Sequence, residues 1–349
     1  MTQPRHMHYV TRFPGCLRSC TQINRGRERW IGRQRKRCSG SAEPLYGGCA
    51  LNNLPNSLDM VSSPSVEKPR ASASSSWDAL ADIEVFITAA EAELVALERE
   101  RTGVRRRGRK PDPVLRRRLL GVTWMLTFGG MQWRLAGLLS GIPFTTLHSA
   151  FARWTRLGLW RRLGQRLALD WRIACGDEAL PSALVVDSRS QRSSPTCFAR
   201  GIDGGKNIKG IKLHVVCDKH GSLIDLEVTP ANYDDRASAL PMLPRLAELG
   251  FQGDLLADNG YKGEPFAAAG RAHDMEVSVS PGGTPDGQFI PSGVRWVVER
   301  LFAWLSRYRR LNTVFDRNPD LFVSHVWIAI ISILARRLLR SQDVDLQHI

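Results

Sequence analysis

Seven cysteines in 349 residues are too few and too scattered to organise a fold. Cys16, Cys20, Cys38 and Cys49 lie in a stretch without core-forming pattern, at spacings that match no common zinc site. Cys175, Cys197 and Cys217 stand singly, and the odd number fits a reducing cytoplasm. The first residues lack the apolar core of a signal peptide. The most apolar run, Val326 to Ala335, is too short to cross a bilayer and ends on Arg336-Arg337. The expectation is a soluble, cytoplasmic protein with no membrane partner.

Acid is scarce where base gathers. Residues 1–42 hold ten Lys/Arg against one acid, and residues 105–118 hold eight against one. These two segments account for the net charge of +15, leaving a near-neutral body. A clustered basic footprint points to a polyanion, with nucleic acid first.

Residues 1–76 show no sustained periodicity and end in the run Ser72-Ala73-Ser74-Ser75-Ser76. They read as a disordered, basic, low-complexity segment. Met60 is a candidate alternative start, and a DNA-gripping arm is the functional alternative. Residues 77–178 read as helical. An acidic amphipathic helix over Trp77–Arg101 is followed by the basic run RRRGRKPDP (105–113) and a helix from Val114 to about Phe128. A short helix, Gln132 to Ser140, stops at Gly141-Ile142-Pro143, and the next starts with Thr145 or Thr146 as cap. That corner, with His148, Arg153 and Arg156 outward, resembles a helix-turn-helix. A further helix spans Trp160 to about Ala174.

Residues 179–342 change texture. Strands are predicted over Ala183–Val186, Ile211–Cys217, Ser222–Thr229, Leu255–Asp258 and Glu276–Val279, with helices over Asp234–Gly250 and Glu264–Asp274. A Gly/Pro-rich loop (281–293) leads into a helix over Val294–Leu311. This is the order of a mixed α/β, ribonuclease-H-like sheet. Asp187 and Asp258 are expected at strand ends, and Glu299 inside a helix apolar on nearly every side, with Arg295 one turn earlier. A buried carboxylate needs a partner. Three carboxylates with no His or Cys nearby favour magnesium or manganese, and two such ions suit phosphodiester chemistry. Tyr261 and Tyr308 lack the basic cluster of a tyrosine recombinase.

From Arg105 to about Leu339 the chain resembles bacterial insertion-sequence transposases of the DDE type, in the insertion-sequence-five group. The matching pieces are RRRGRKPDP, GGMQWRLAGLL with LHSAFARWTRLGLW, VVDS, GGKNIKGIKLHVVCD, VTPANYDDR, LLADNGY and RWVVERLFAWLSRYRRL. The resemblance implies that Asp187, Asp258 and Glu299 hold two Mg2+ (or Mn2+) ions. It implies cleavage at transposon ends and transfer of the freed 3′ ends into target DNA, by an oligomer that is at least a dimer when it synapses two ends. Within that reading Arg295 orients Glu299 or touches phosphate. Arg105, Arg106, Arg107, Arg109 and Lys110 grip the backbone, Arg153 and Arg156 read sequence, and Lys206, Lys209 and Lys212 line the DNA path. Two places depart from the signature around the glutamate: Ser292 stands for its tyrosine and Ser306 for its lysine, a role Arg307 is expected to take over. Two other readings remain open at this point: a catalytically inactive, transposase-derived repressor and a ribonuclease-H-like nuclease.

Overall fold

Near residue 180 helices give way to strands, but the packing runs across that change. The computed structural model describes residues 79–100, 112–279 and 295–346. The segment 1–76 with Met60, the basic residues Arg105, Arg106, Arg107, Arg109 and Lys110, and the loop 281–293 lie outside the described residues.

Five helices come first: α1 (Ala79–Glu100), α2 (Pro113–Gly129), α3 (Trp133–Ser140), α4 (Phe144–Arg156) and α5 (Leu159–Ala174). Asp112 caps α2 by accepting from the Val114 N–H at 2.9 Å, and Pro113 takes the first position, where no N–H is needed. Helices α3 and α4 meet at 114°. Gly141 makes that corner with φ 67°, a left-handed cap that a β-carbon would strain. Helix α4 begins at Phe144 rather than after a Thr145 or Thr146 cap. The Pro143 carbonyl accepts from the Thr146 and Leu147 N–H groups, so the fixed backbone of proline starts the helix.

The last helix, α10 (Pro319–Leu346), is 28 residues long, well beyond the apolar run Val326–Ala335. It is long and apolar enough by composition to cross a membrane, yet most of it is buried inside the fold. Helices α1, α2, α4 and α5 pack around it. Its polar groups are matched inward: Trp124 Nε1 donates to Ser332 Oγ at 2.9 Å, and Thr127 Oγ1 shares a 2.7 Å hydrogen bond with His325 Nδ1. A helix apolar all round belongs in an interior, and this one is the core of the helical layer.

That burial has a pH consequence. His325 is fully buried, which holds its pKa well below the ordinary 6.5, and nearby Arg310 adds to the effect. Burial also lowers His214 in the sheet to about 4. The unfolded imidazoles take up protons near 6.5 while the folded ones do not. Stability is therefore complete above that pH and is lost as pH falls toward 4. The urea midpoint is expected to drop between pH 7 and pH 5, and His325→Phe is expected to flatten part of that slope. An equal slope in parent and variant counts against His325 as a source.

Six strands form one mixed sheet: β1 (Ala183–Arg192), β2 (Gly201–Asp203), β3 (Ile208–Cys217), β4 (Leu223–Pro230), β5 (Gly253–Ala257) and β6 (Met275–Val279). Strand β3 pairs antiparallel with β1, β4 and the short β2; β5 pairs parallel with β1 and β6. The β3–β4 turn uses Gly221 at φ 73°, with Asp218 Oδ1 accepting from the His220 and Ser222 N–H groups. The helix expected over Asp234–Gly250 is two, α6 (Asp235–Ala239) and α7 (Met242–Glu248), broken beside Pro241, which has no N–H to give. Helix α8 spans Glu264–Arg271 and α9 spans Arg295–Leu305.

Two boundaries differ from expectation in ways that bear on the site. Strand β1 does not end at Asp187. It continues to Arg192 because β3 keeps pairing with it (Arg192↔Gly210) after β5 has left. Helix α9 stops at Leu305, six residues short of Leu311. Ser306 Oγ turns back to the Ala303 carbonyl, the Arg307 N–H bonds three residues back to Trp304, and a separate 3-10 turn covers Arg309–Leu311.

Candidate active site

The first carboxylate is placed by strand alternation. Val185, Asp187 and Arg189 point to one face of the sheet, as do their β3 partners Cys217, Val215 and Leu213. Helix α9 lies on that face. Arg189 Nη1 donates to the Phe302 carbonyl at 3.1 Å, and its guanidinium sits 5.8 Å over the Phe302 ring. At the other end of β1, a β-carbon on Gly221 would lie 3.4 Å from the Val297 carbonyl.

The second carboxylate follows from the parallel pairing. The last register pair of β1 and β5 is Val186↔Ala257, so Asp187 and Asp258 are the next residues on adjacent strands. Neighbouring strands run about 4.8 Å apart. Asp187 Oδ1 accepts its neighbour's N–H from Ser188 at 2.7 Å. Asp258 Oδ1 accepts from the Gly260 N–H at 2.9 Å and caps the 3-10 turn Asn259–Tyr261. Both aspartates are half-buried.

Glu299 is a correction: it is exposed, not buried. Val297, Val298, Leu301, Phe302 and Leu305 of α9 are buried, Trp304 is half-buried against the core, and Trp296 is 51% exposed. An aromatic on the outside disguised the helix as apolar all round. Trp296 is covered instead by the Arg300 guanidinium, 4.2 Å above its ring, which in turn lies 5.0 Å from Trp304. At about 100° per residue Glu299 projects between Trp296 and Phe302, about 60° from each. Among the described residues no three His, Cys, Asp or Glu side chains stand gathered at ligand spacing. Arg295 opens α9, and its side chain lies outside the described residues.

The remaining expected residues divide. Arg153, Arg156, Lys206, Lys209 and Arg307 are exposed. Lys212 is not. It is 9% exposed, with Nζ 3.0 Å from Asp235 Oδ1 and donating to the Tyr233 carbonyl at 2.9 Å, which takes it off the DNA path expected for it. Ser306 and Arg307 both lie beyond the end of α9, so the helix does not set the direction of either.

Two models of the family described as "Transposase DDE domain" match, one over residues 178–286 and one over 255–334. A protein of Burkholderia cepacia that carries the name of a transposase for insertion sequence element IS402 is 33% identical over 148 residues, covering 39% of this chain and 67% of the relative. The chain belongs to the bacterial DDE insertion-sequence transposases. A cryo-EM structure of the piggyBac transposase synaptic complex with hairpin DNA aligns at 11% identity over 74% of each chain with a TM-score of 0.35, a likeness too distant to carry an argument.

DDE transposase domains generally use divalent metal ions, and the matched segments contain Asp187 and Asp258, the first model both and the second Asp258 with Glu299. The transposase has two further residues at this place that sequence reasoning missed. Asp235 lies within reach of Ser188, Lys212 and Gly260. Tyr261, 1% exposed, has its hydroxyl beside Ser188; burial first, then the nearby charges of Asp235, Asp187 and Asp258, push its pKa well up. The available signal was polar alternation: Ser188 and Ser190 on β1, Lys212 and His214 on β3, in strands covered on both faces.

Proposed function

We propose that the transposase binds the terminal inverted repeats of its own insertion sequence, cleaves DNA there and joins the freed 3′ ends to target DNA. The observation that carries this is the adjacency of Asp187 and Asp258 on parallel strands, with α9, the helix that bears Glu299, packed on the sheet face that Asp187 shares with Arg189. The strand arrangement, four antiparallel strands (β1 to β4) followed by two parallel ones on the far side of β1, supports a ribonuclease-H-like reading of the core. The quoted motifs support the insertion-sequence-five group.

The donor set fits a hard cation: carboxylate oxygens from two adjacent strands, without sulfur or imidazole. Asp187 and Asp258 would hold Mg2+ or Mn2+, with Glu299 as the third carboxylate, whose exposed side chain turns without leaving a packed pocket. Bound there, divalent cations supply the Lewis acidity that activates an attacking hydroxyl and stabilises the leaving oxygen. The chain's own part is to hold the aspartates in register and to bring phosphate in. Lys206, Lys209 and Arg307 present exposed cations for the backbone, and Arg105, Arg106, Arg107, Arg109 and Lys110 add a basic run before α2.

The 114° corner of α3 and α4 supports a helix-turn-helix reading, with Arg153 and Arg156 exposed on α4. Arg153→Ala and Arg156→Ala are each expected to cost about tenfold or more in preference for terminal-repeat DNA over random DNA. Equal loss on both DNAs assigns these arginines to phosphate instead. The function itself is tested by incubating the full chain, Mg2+ and a DNA ending in the element's terminal repeats with a supercoiled target. Joined product supports the proposal. Repeat binding without cleavage favours the repressor reading, and cleavage indifferent to the repeats favours a nuclease.

A further inference from the structure

We propose that Asp235 is a positioning residue that holds Asp187 and Asp258 in one frame from the opposite face of the sheet; this rests on the metal-binding role given above to those two aspartates. Ser188, Ser190, Lys212 and His214 share that opposite face, by strand alternation and by the register pairs Ser188↔His214 and Ser190↔Lys212. A sheet face covered by helices is ordinarily apolar, so four polar side chains there need a reason.

Three of them, Ser188, Lys212 and His214, converge on the Asp235 carboxylate, at the first residue of α6, while the Ser190 hydroxyl donates to Asp203. Asp235 Oδ1 accepts the Ser188 hydroxyl at 2.9 Å and lies 3.0 Å from Lys212 Nζ and 3.8 Å from His214 Nδ1. Ser188 follows Asp187 in the chain and gives that carboxylate its N–H. The other oxygen, Oδ2, turns toward the second aspartate. A β-carbon on Gly260 would meet Asp235 Oδ2 at 3.5 Å and Asp258 Oδ1 at 3.0 Å. One carboxylate therefore reaches from the strand of Asp187 to the turn of Asp258. The frame is anchored from behind, Lys212 by the Tyr233 carbonyl and His214 Nε2 by the Thr229 hydroxyl, each at 2.9 Å.

Asp187, Asp235 and Asp258 all bear on the buried Tyr261, and Lys212 is the cation paired with Asp235. Neutralising Asp235 strands the Lys212 ammonium, and the unbalanced positive charge opposes a metal cation beside it. It also loosens Ser188 and the 259–261 turn together. Outer residues that orient metal ligands alter affinity for the metal more than the fold around them.

The test measures Mn2+ binding to the full chain by the electron paramagnetic resonance of unbound Mn2+, alongside DNA cleavage and binding. Asp235→Asn is expected to bind Mn2+ about tenfold or more weakly. Its cleavage should be partly recovered by excess Mn2+, and its DNA affinity and near-UV circular dichroism should match the parent. Adding Lys212→Met, which removes the stranded cation, should bring Mn2+ affinity partway back, a recovery that lost packing alone would not produce. Parental Mn2+ affinity in Asp235→Asn, with affinity lost in Asp187→Asn, overturns this inference alone. Parental affinity in Asp187→Asn overturns the metal-site reading and this inference with it. Should Asp235→Asn fail to fold, Ser188→Ala cuts the same tether from the strand side, and parental Mn2+ affinity there overturns the inference.

Discussion

Asp187→Asn, Asp258→Asn and Glu299→Gln are each expected to lower DNA cleavage by at least about a thousandfold while leaving terminal-repeat binding within about twofold of the parent. The two aspartates are register neighbours on β1 and β5, so either amide would remove one of the two adjacent carboxylates that would hold a divalent cation. An amide keeps the volume and the hydrogen bonds that Asp187 and Asp258 accept from Ser188 and Gly260. The fold should not register the change. Groups that act as one unit are not additive, so Asp187→Asn combined with Asp258→Asn should be little worse than either alone. Chelating divalent cations should mimic the triple loss. Near-parental cleavage by any one variant removes that residue from the site, and Glu299, which the fold leaves exposed, is the one most open to that outcome.

The second large effect concerns the helical layer. Gly164→Val is expected to destabilise the protein by about 3 kcal/mol, read as a lower urea midpoint with an unchanged slope. Gly164 sits where α5 crosses α10, and a β-carbon there would lie 2.8 Å from Cζ3 of the Trp327 ring. Trp327 is 1% exposed and walled in by neighbours, so it cannot swing aside. Gly129→Ala is the control: nothing lies within 4 Å of its added carbon, and stability there should be unchanged or slightly raised. A Gly164→Val protein as stable as the parent would mean that α5 and α10 do not pack as described.

How far the amino-acid order alone reached can be followed residue by residue. Strands carry their own evidence in alternation and apolar runs, and turns in glycine and proline; β3 to β6 and α1 to α5 were legible within a few residues for that reason, and β1 only in its first half. The places of Asp187 and Asp258 at the ends of apolar runs were equally plain, because an acid closing such a run is conspicuous. What misled was exposure on a helix. Trp296 counts as apolar in any periodicity, yet an arginine from its own helix covers it, so α9 was read as buried all round and Glu299 with it. The end of α9 was equally hidden, since Ser306 and Asn312 terminate it through bonds to carbonyls that only the folded chain brings near.

The sequence by itself therefore determined the mixed α/β class of the fold, its basic segments and the order of most of its elements, because these are local properties of composition and spacing; the short β2 and the length of α10 were not legible in it. The tertiary structure alone decided what each charged side chain faces. Lys212 and Lys209 are three residues apart on one strand and look alike in the sequence. One is exposed, and the other is turned inward onto Asp235 from a distant loop. Burying an ammonium is favourable only when a carboxylate is delivered to it, and that partner is set by packing between strands and helices far apart in the chain. The same holds for the adjacency of Asp187 and Asp258, which are brought side by side by the parallel pairing of β1 with β5.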